Sequence, residues 1–159
     1  MQDFRITHFD KKFDYKSFSC GEDKLDRYIK EIASQNIKIG ISSVYVLLDE
    51  NKVIGFYTIS SYTLNADELP KVITKNFPKD LPIPSCLIGR FAVDKNYQNQ
   101  GFGSILLTSA LKRTKRLSKE VAFSFIVVNA KDKIAKQFYT KYGFEEIVGN
   151  PLKLYLSIK

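Results

Sequence analysis

Gln98, Asn99, Gln100, Gly101, Phe102 and Gly103 stand between a run with strand character and, from Ser104 onward, a run with helical periodicity. Glycines at a strand-to-helix turn let backbone N–H groups close on a bound anion, where the positive end of the helix dipole adds its field. The segment predicts a pyrophosphate cradle. Two common phosphate loops are excluded: no Lys-Ser or Lys-Thr follows the second glycine, and the spacing is not Gly-x-Gly-x-x-Gly with an acidic residue about twenty positions on.

Composition narrows what such a cradle could serve. At 159 residues, 44% hydrophobic and 13% aromatic, the chain has the length and apolar content of one globular domain, residues 1–159. No apolar run approaches the roughly 20 residues of a membrane span, and the first ten residues lack a signal-peptide core, so a cytoplasmic protein that does not engage a membrane is expected. Cys20 and Cys86 lie far apart without metal-ligand spacing, and His8 is the single histidine, an ordinary strand residue; no metal is expected. The net charge of +8 favours polyanionic partners, nucleic acid ahead of membrane.

The elements that would position the cradle follow from periodicity. Phe4 to Phe9 alternates as a first strand, and Leu25, Tyr28, Ile29, Ile32 and Ala33 recur at helical steps in a helix from Glu22 to about Asn36. Val44 to Leu48 and Val53 to Tyr62 form a hairpin across Asp49–Lys52. A proline-rich stretch, 69–84, holds a short helix near Val72–Asn76. Leu87 to Val93 is the strand before the cradle, and Gly101 to about Arg116 the helix after it, with Ile105, Leu106, Ala110 and Leu111 as its buried stripe. Ala122 to Val128 is an apolar strand, Asp132 to Tyr142 a helix closed by Gly143, and Leu152 to Ile158 a last strand. The predicted order is β-α-β-β-β-α-β-α-β, mixed α/β with one core.

Three pieces then coincide. Phe91-Ala92-Val93 precedes the Gln-x-x-Gly-x-Gly loop, Asn129 ends the next strand, and Phe138-Tyr139 is followed by Tyr142-Gly143-Phe144. At this spacing the chain resembles the GCN5-related N-acetyltransferase (GNAT) family, which implies an α+β fold with a mixed, mostly antiparallel central sheet flanked by helices on both faces, and acetyl-CoA as cosubstrate. Phe18-Ser19-Cys20-Gly21, Leu25-Asp26, Gly55-Phe56-Tyr57, Leu69-Pro70, Pro82-Ile83-Pro84 and Gly89-Arg90 are similar, more narrowly, to the GNAT toxins of bacterial toxin–antitoxin pairs. Those toxins acetylate the α-amine of aminoacyl-tRNA. Ser42-Ser43, Asn99 and Phe102 depart from the usual pattern of these relatives.

The resemblance implies roles residue by residue. The backbone of Phe91, Ala92 and Val93 would hold the pantetheine arm and polarise the thioester oxygen. Backbone amides of Asn99, Gln100, Gly101, Phe102, Gly103 and Ser104, with the Gln98 side chain, would hold the pyrophosphate, and Asn129 and Phe138 would line the arm. Tyr139 is the expected general acid and Tyr142 its alternative: a phenol near pKa 10 stays protonated at neutral pH and can return a proton to the departing thiolate. No Glu or His is marked out as a base. That suits an α-amine near pKa 7.7–8.0 better than a lysine near 10.4, because roughly a tenth of the former is already neutral at pH 7. Arg90, Lys75 and Lys95 are the candidate contacts to a tRNA acceptor. A homodimer neutralised by a small ribbon-helix-helix antitoxin completes the expectation; a GNAT enzyme acting on a small amine or a protein N-terminus is the alternative.

Overall fold

The computed structural model describes residues 4–158. In chain order its elements are β1 (Phe4–His8), α1 (Asp23–Arg27), a π turn (Tyr28–Ile32), α2 (Ala33–Lys38), β2 (Ser43–Asp49), β3 (Lys52–Leu64), a 3-10 turn (Ala66–Glu68), α3 (Lys71–Thr74), β4 (Ile83–Val93), α4 (Phe102–Leu117), β5 (Phe125–Asn129), α5 (Lys133–Thr140), β6 (Glu145–Ile147) and β7 (Asn150–Ser157). The strands hydrogen-bond into one seven-stranded sheet of order β1-β2-β3-β4-β5-β7-β6. It is mostly antiparallel, with β4 and β5 parallel. The expected mixed α/β class is the observed one.

Two compact units make up the chain, one from the segment ending at Ser60 with Gly89–Arg113, the other from Ser61–Ile88 with the segment beginning at Thr114. β3, β4 and α4 each start in one unit and finish in the other, so neither unit is a contiguous stretch of chain.

In the first unit, Phe18, Tyr28, Ile29, Val46, Leu48, Val53 and Phe56 are fully or almost fully buried in one core. The β2–β3 hairpin turns at Glu50, whose φ of +55° is the left-handed geometry that such a turn demands. Gly55 on β3 has a different reason to be glycine. A Cβ there would sit 2.7 Å from Leu106 Cδ1 of α4 and 3.2 Å from the Ala92 carbonyl, so the missing side chain lets α4 seat against the sheet. In the second unit, Leu64, Leu69, Ile83, Phe125, Val127, Ile147 and Tyr155 form the core.

Element bounds shift by a few residues from the sequence reading, β5 most clearly, which is Phe125–Asn129 where Ala122 to Val128 was expected, and four further details differ. The first helix is interrupted by the π turn, where the Ala33 N–H reaches back to the Tyr28 carbonyl, five residues away. β4 starts at Ile83 rather than Leu87, because Pro84 takes part through its carbonyl, accepting from the Ser124 N–H, and needs no N–H of its own. β6 was not foreseen. In α4 the buried positions are Leu106, Leu107, Ala110 and Thr114, while Ile105 is 48% exposed and Leu111 half-buried.

Candidate active site

In the first unit, the chain leaves β4 at Val93 and enters α4 at Phe102 through a turn organised by one carboxylate. Asp94 is 1% exposed. Its Oδ1 accepts from the Asn96 N–H at 2.9 Å, its Oδ2 from the Ser19 N–H at 3.1 Å, and its own N–H donates to the Ile54 carbonyl at 2.8 Å. A buried carboxylate that caps a turn in this way holds the turn without a neighbouring cation. Sequence reasoning placed no role on Asp94. An aspartate two residues before a turn N–H was the available signal.

Asn99 and Gly101 follow with φ of +62° and +87°. These left-handed residues bend the backbone before α4, whose first-turn N–H groups at Phe102, Gly103 and Ser104 have no carbonyl within the helix to reach. Space is open around the Gly101 Cα, so it is backbone conformation, and not crowding, that asks for glycine there. Phe102 departs from the usual leucine without disturbing this geometry: its ring packs edge-on against Phe4 at 5.0 Å and Tyr97 at 5.7 Å. The Gln100 side chain donates to the Asn96 carbonyl at 3.0 Å. A turn of this kind fits an anionic group presented to backbone N–H donors.

Gln98 sits differently from its expected place on the pyrophosphate. Its Nε2 donates to the Cys20 carbonyl and to the Val93 carbonyl, each at 2.8 Å. Both amide hydrogens are thereby engaged, and flipping the amide would set its oxygen against two carbonyls. The atom left over is an oxygen, which has the wrong sign for a phosphate.

β4 itself outruns its parallel ladder. The pairing with β5 covers Ser85–Ile88 against Phe125–Val128, and the strand continues through Gly89, Arg90, Phe91 and Ala92 to Val93. The Arg90 N–H donates to the Thr58 side-chain oxygen at 2.8 Å, and its guanidinium lies 4.0 Å from the centre of the Tyr28 ring. Tyr28 is fully buried and opens the π turn, whereas Arg90 is exposed. Lys95 is exposed on the turn, with its N–H held by the Ser19 carbonyl at 2.8 Å.

The second unit carries the remaining candidates. Asn129 ends β5, exposed and paired with Lys153 of β7. Asp132 caps α5 by accepting from the Ala135 N–H at 2.8 Å, and Gly143, at φ +95°, closes the segment after it. On α5, Tyr139 is 5% exposed, its ring 5.4 Å from Phe138 and 5.8 Å from Phe144. Burial pushes its phenol well above the ordinary value near 10. Phe138 also packs against half-buried Tyr142. Lys75 is exposed just past α3 and belongs to this unit, so the basic residues named from sequence are shared between the two. Among the described residues no group of three or more His, Cys, Asp or Glu side chains could hold a metal ion. No helix among them is long and apolar enough to cross a membrane.

The chain is similar to known proteins in sequence and in fold. The acetyltransferase (GNAT) domain profile matches residues 40–146. A protein of Mycobacterium tuberculosis named tRNA-acetylating toxin is 34% identical over 146 residues, 92% of this chain and 87% of that one. The solved structure of AtaT complexed with acetyl-methionyl-tRNAfMet superposes with a TM-score of 0.90 at 29% identity, over 98% of this chain and 95% of that one. A tyrosine-to-phenylalanine mutant of the toxin AtaT, bound to the C-terminus of the antitoxin AtaR and acetyl-CoA, superposes with a TM-score of 0.83 at 26% identity, over 98% and 94%.

Proposed function

The chain belongs to the GNAT acetyltransferase family and is an acetyl-CoA-dependent acyltransferase, and from that premise we propose that it acetylates the α-amine of aminoacyl-tRNA as a translation-blocking toxin. The acceptor is suggested by the relative named for tRNA acetylation and by the one solved with an acetylated methionyl-tRNA. The exposed cations Arg90, Lys95 and Lys75 are the side chains offered to its phosphates.

Bound acetyl-CoA supplies an acyl carbonyl already activated by sulfur. The first-turn N–H groups of α4, with those of Asn99, Gln100 and Gly101, meet the pyrophosphate, while the backbone of Phe91, Ala92 and Val93 aligns the pantetheine and polarises the thioester oxygen. Asn129 and Phe138 border the arm. The amine attacks in its neutral form: a C–N bond forms, the C–S bond breaks, Tyr139 gives its proton to the departing sulfur, and the proton shed by the acylated nitrogen passes through solvent to the Tyr139 phenolate, restoring the acid. Tyr139 is read as the acid from its place in the Phe138-Tyr139 pair on α5, and its burial keeps the phenol in the protonated form that such a role requires. In this reading the protein works in the cytoplasm as a homodimer and is neutralised by a small ribbon-helix-helix antitoxin.

The test is transfer of labelled acetyl groups from acetyl-CoA to a panel of charged tRNAs. N-acetyl-aminoacyl-tRNA is expected, with apparent affinity for tRNA falling steeply as salt rises from 50 to 200 mM, in the manner of phosphate contacts. Transfer confined to polyamines or to protein N-termini would overturn the proposal.

A further inference from the structure

The engagement of Gln98 gives it a task other than holding phosphate. A short strap, Ser19–Cys20, lies between the cradle turn and α1 and is held from both sides. On the cradle side, the Ser19 N–H donates to Asp94, the Ser19 carbonyl accepts from the Lys95 N–H at 2.8 Å, and the Cys20 carbonyl accepts from Gln98 at 2.8 Å. On the helix side, the Cys20 N–H donates to Asp26 Oδ1 of α1 at 2.8 Å. Gly21, at φ +94°, turns the chain between the strap and that helix. The helix leads straight into the π turn, whose first residue, Tyr28, is the surface on which the Arg90 guanidinium rests.

We propose that Gln98 is a positioning residue for the acceptor: by tying the Cys20 carbonyl to the end of β4 it fixes α1 and the Tyr28 surface, and so the direction in which Arg90 points, relative to the donor cradle. The proposal rests on the reading of Arg90 as an acceptor contact. Cradle conformation has its own supports in Asp94, Gln100 and Gly101, so donor affinity depends little on the Gln98 side chain. Two neutral hydrogen bonds are lost when that amide is removed, which corresponds to about a tenfold effect.

The decisive measurement is hydrogen exchange on the ligand-free protein, comparing wild type with Gln98→Met. Faster exchange through residues 19–32, with the fold intact by thermal melting, is expected; unchanged exchange there overturns the proposal, because a pure phosphate ligand does nothing without phosphate. In steady state, Gln98→Met is expected to raise KM for charged tRNA about tenfold while the acetyl-CoA dissociation constant stays within about twofold. The reverse split overturns it. Gln98→Glu adds a pH readout: a carboxylate facing two carbonyls is repelled, but its protonated form donates one bond, so kcat/KM relative to wild type is expected to climb as pH falls from 8 to 5.5. If wild type transfers nothing to charged tRNA, the acceptor reading fails by itself, and the exchange comparison still decides the tie.

Discussion

In the proposed reaction the cradle turn and the α5 segment contribute by opposite means. At the turn the side chains act as braces, Asp94 to Ser19, Gln98 to Cys20 and Val93, Gln100 to Asn96, and the backbone N–H groups are the proposed donors to the ligand. On α5 a single side chain, Tyr139, is the proposed proton donor, and the rings of Phe138 and Phe144 pack against it. Where recognition is by the backbone, side-chain identity is loosely specified, which accommodates Asn99 and Phe102 in place of the usual glycine and leucine. Where one phenol acts, nothing else substitutes.

Tyr139→Phe is the sharpest test of the contrast. It removes one oxygen from a packed ring, so kcat should fall by about 10²–10⁴-fold while acetyl-CoA affinity and melting temperature hold nearly constant. The pH profile carries the sign. Because burial raises the Tyr139 pKa, the wild-type rate should rise through the amine's pKa near 7.7–8.0 and show no alkaline fall at or below 10; a falling limb there would break the comparison. Gly55→Ala comes next, since its Cβ meets Leu106 at 2.7 Å. It should destabilise by about 1–3 kcal/mol in chemical denaturation and weaken acetyl-CoA binding in the same variant. Asn99→Gly is the smallest. It should alter stability and donor affinity by less than about 0.5 kcal/mol, because either residue adopts positive φ readily. A large loss would mean that the Asn99 side chain takes part in recognition.

The turn between β4 and α4 was legible because glycine spacing and a strand-to-helix switch are local signals. Its bracing was not, since Asp94 and Gln98 find partners some 75 positions away, at Ser19 and Cys20, and nothing in the local pattern names them. The π turn was hidden for another reason: Tyr28, Ile29 and Ala33 keep an apolar stripe whose spacing reads equally well as a regular helix. In α4 the order of apolar residues left the phase open, and the Gly55 gap, which accepts Leu106, selects the observed one and leaves Ile105 in solvent. β6 is three residues, two of them glutamate, too short and too polar to announce itself.

The Arg90 guanidinium carbon sits over the Tyr28 ring, 4.0 Å from its centre, and its backbone N–H is fixed by Thr58. The buried ring occupies one side of the cation, so the N–H groups turned away from it are what remain to meet a partner. A freely rotating charge would respond only to how much negative potential arrives. A guanidinium resting against a buried ring also responds to the angle of arrival, and an acceptor presenting its phosphates from another direction would find the same charge and fewer bonds.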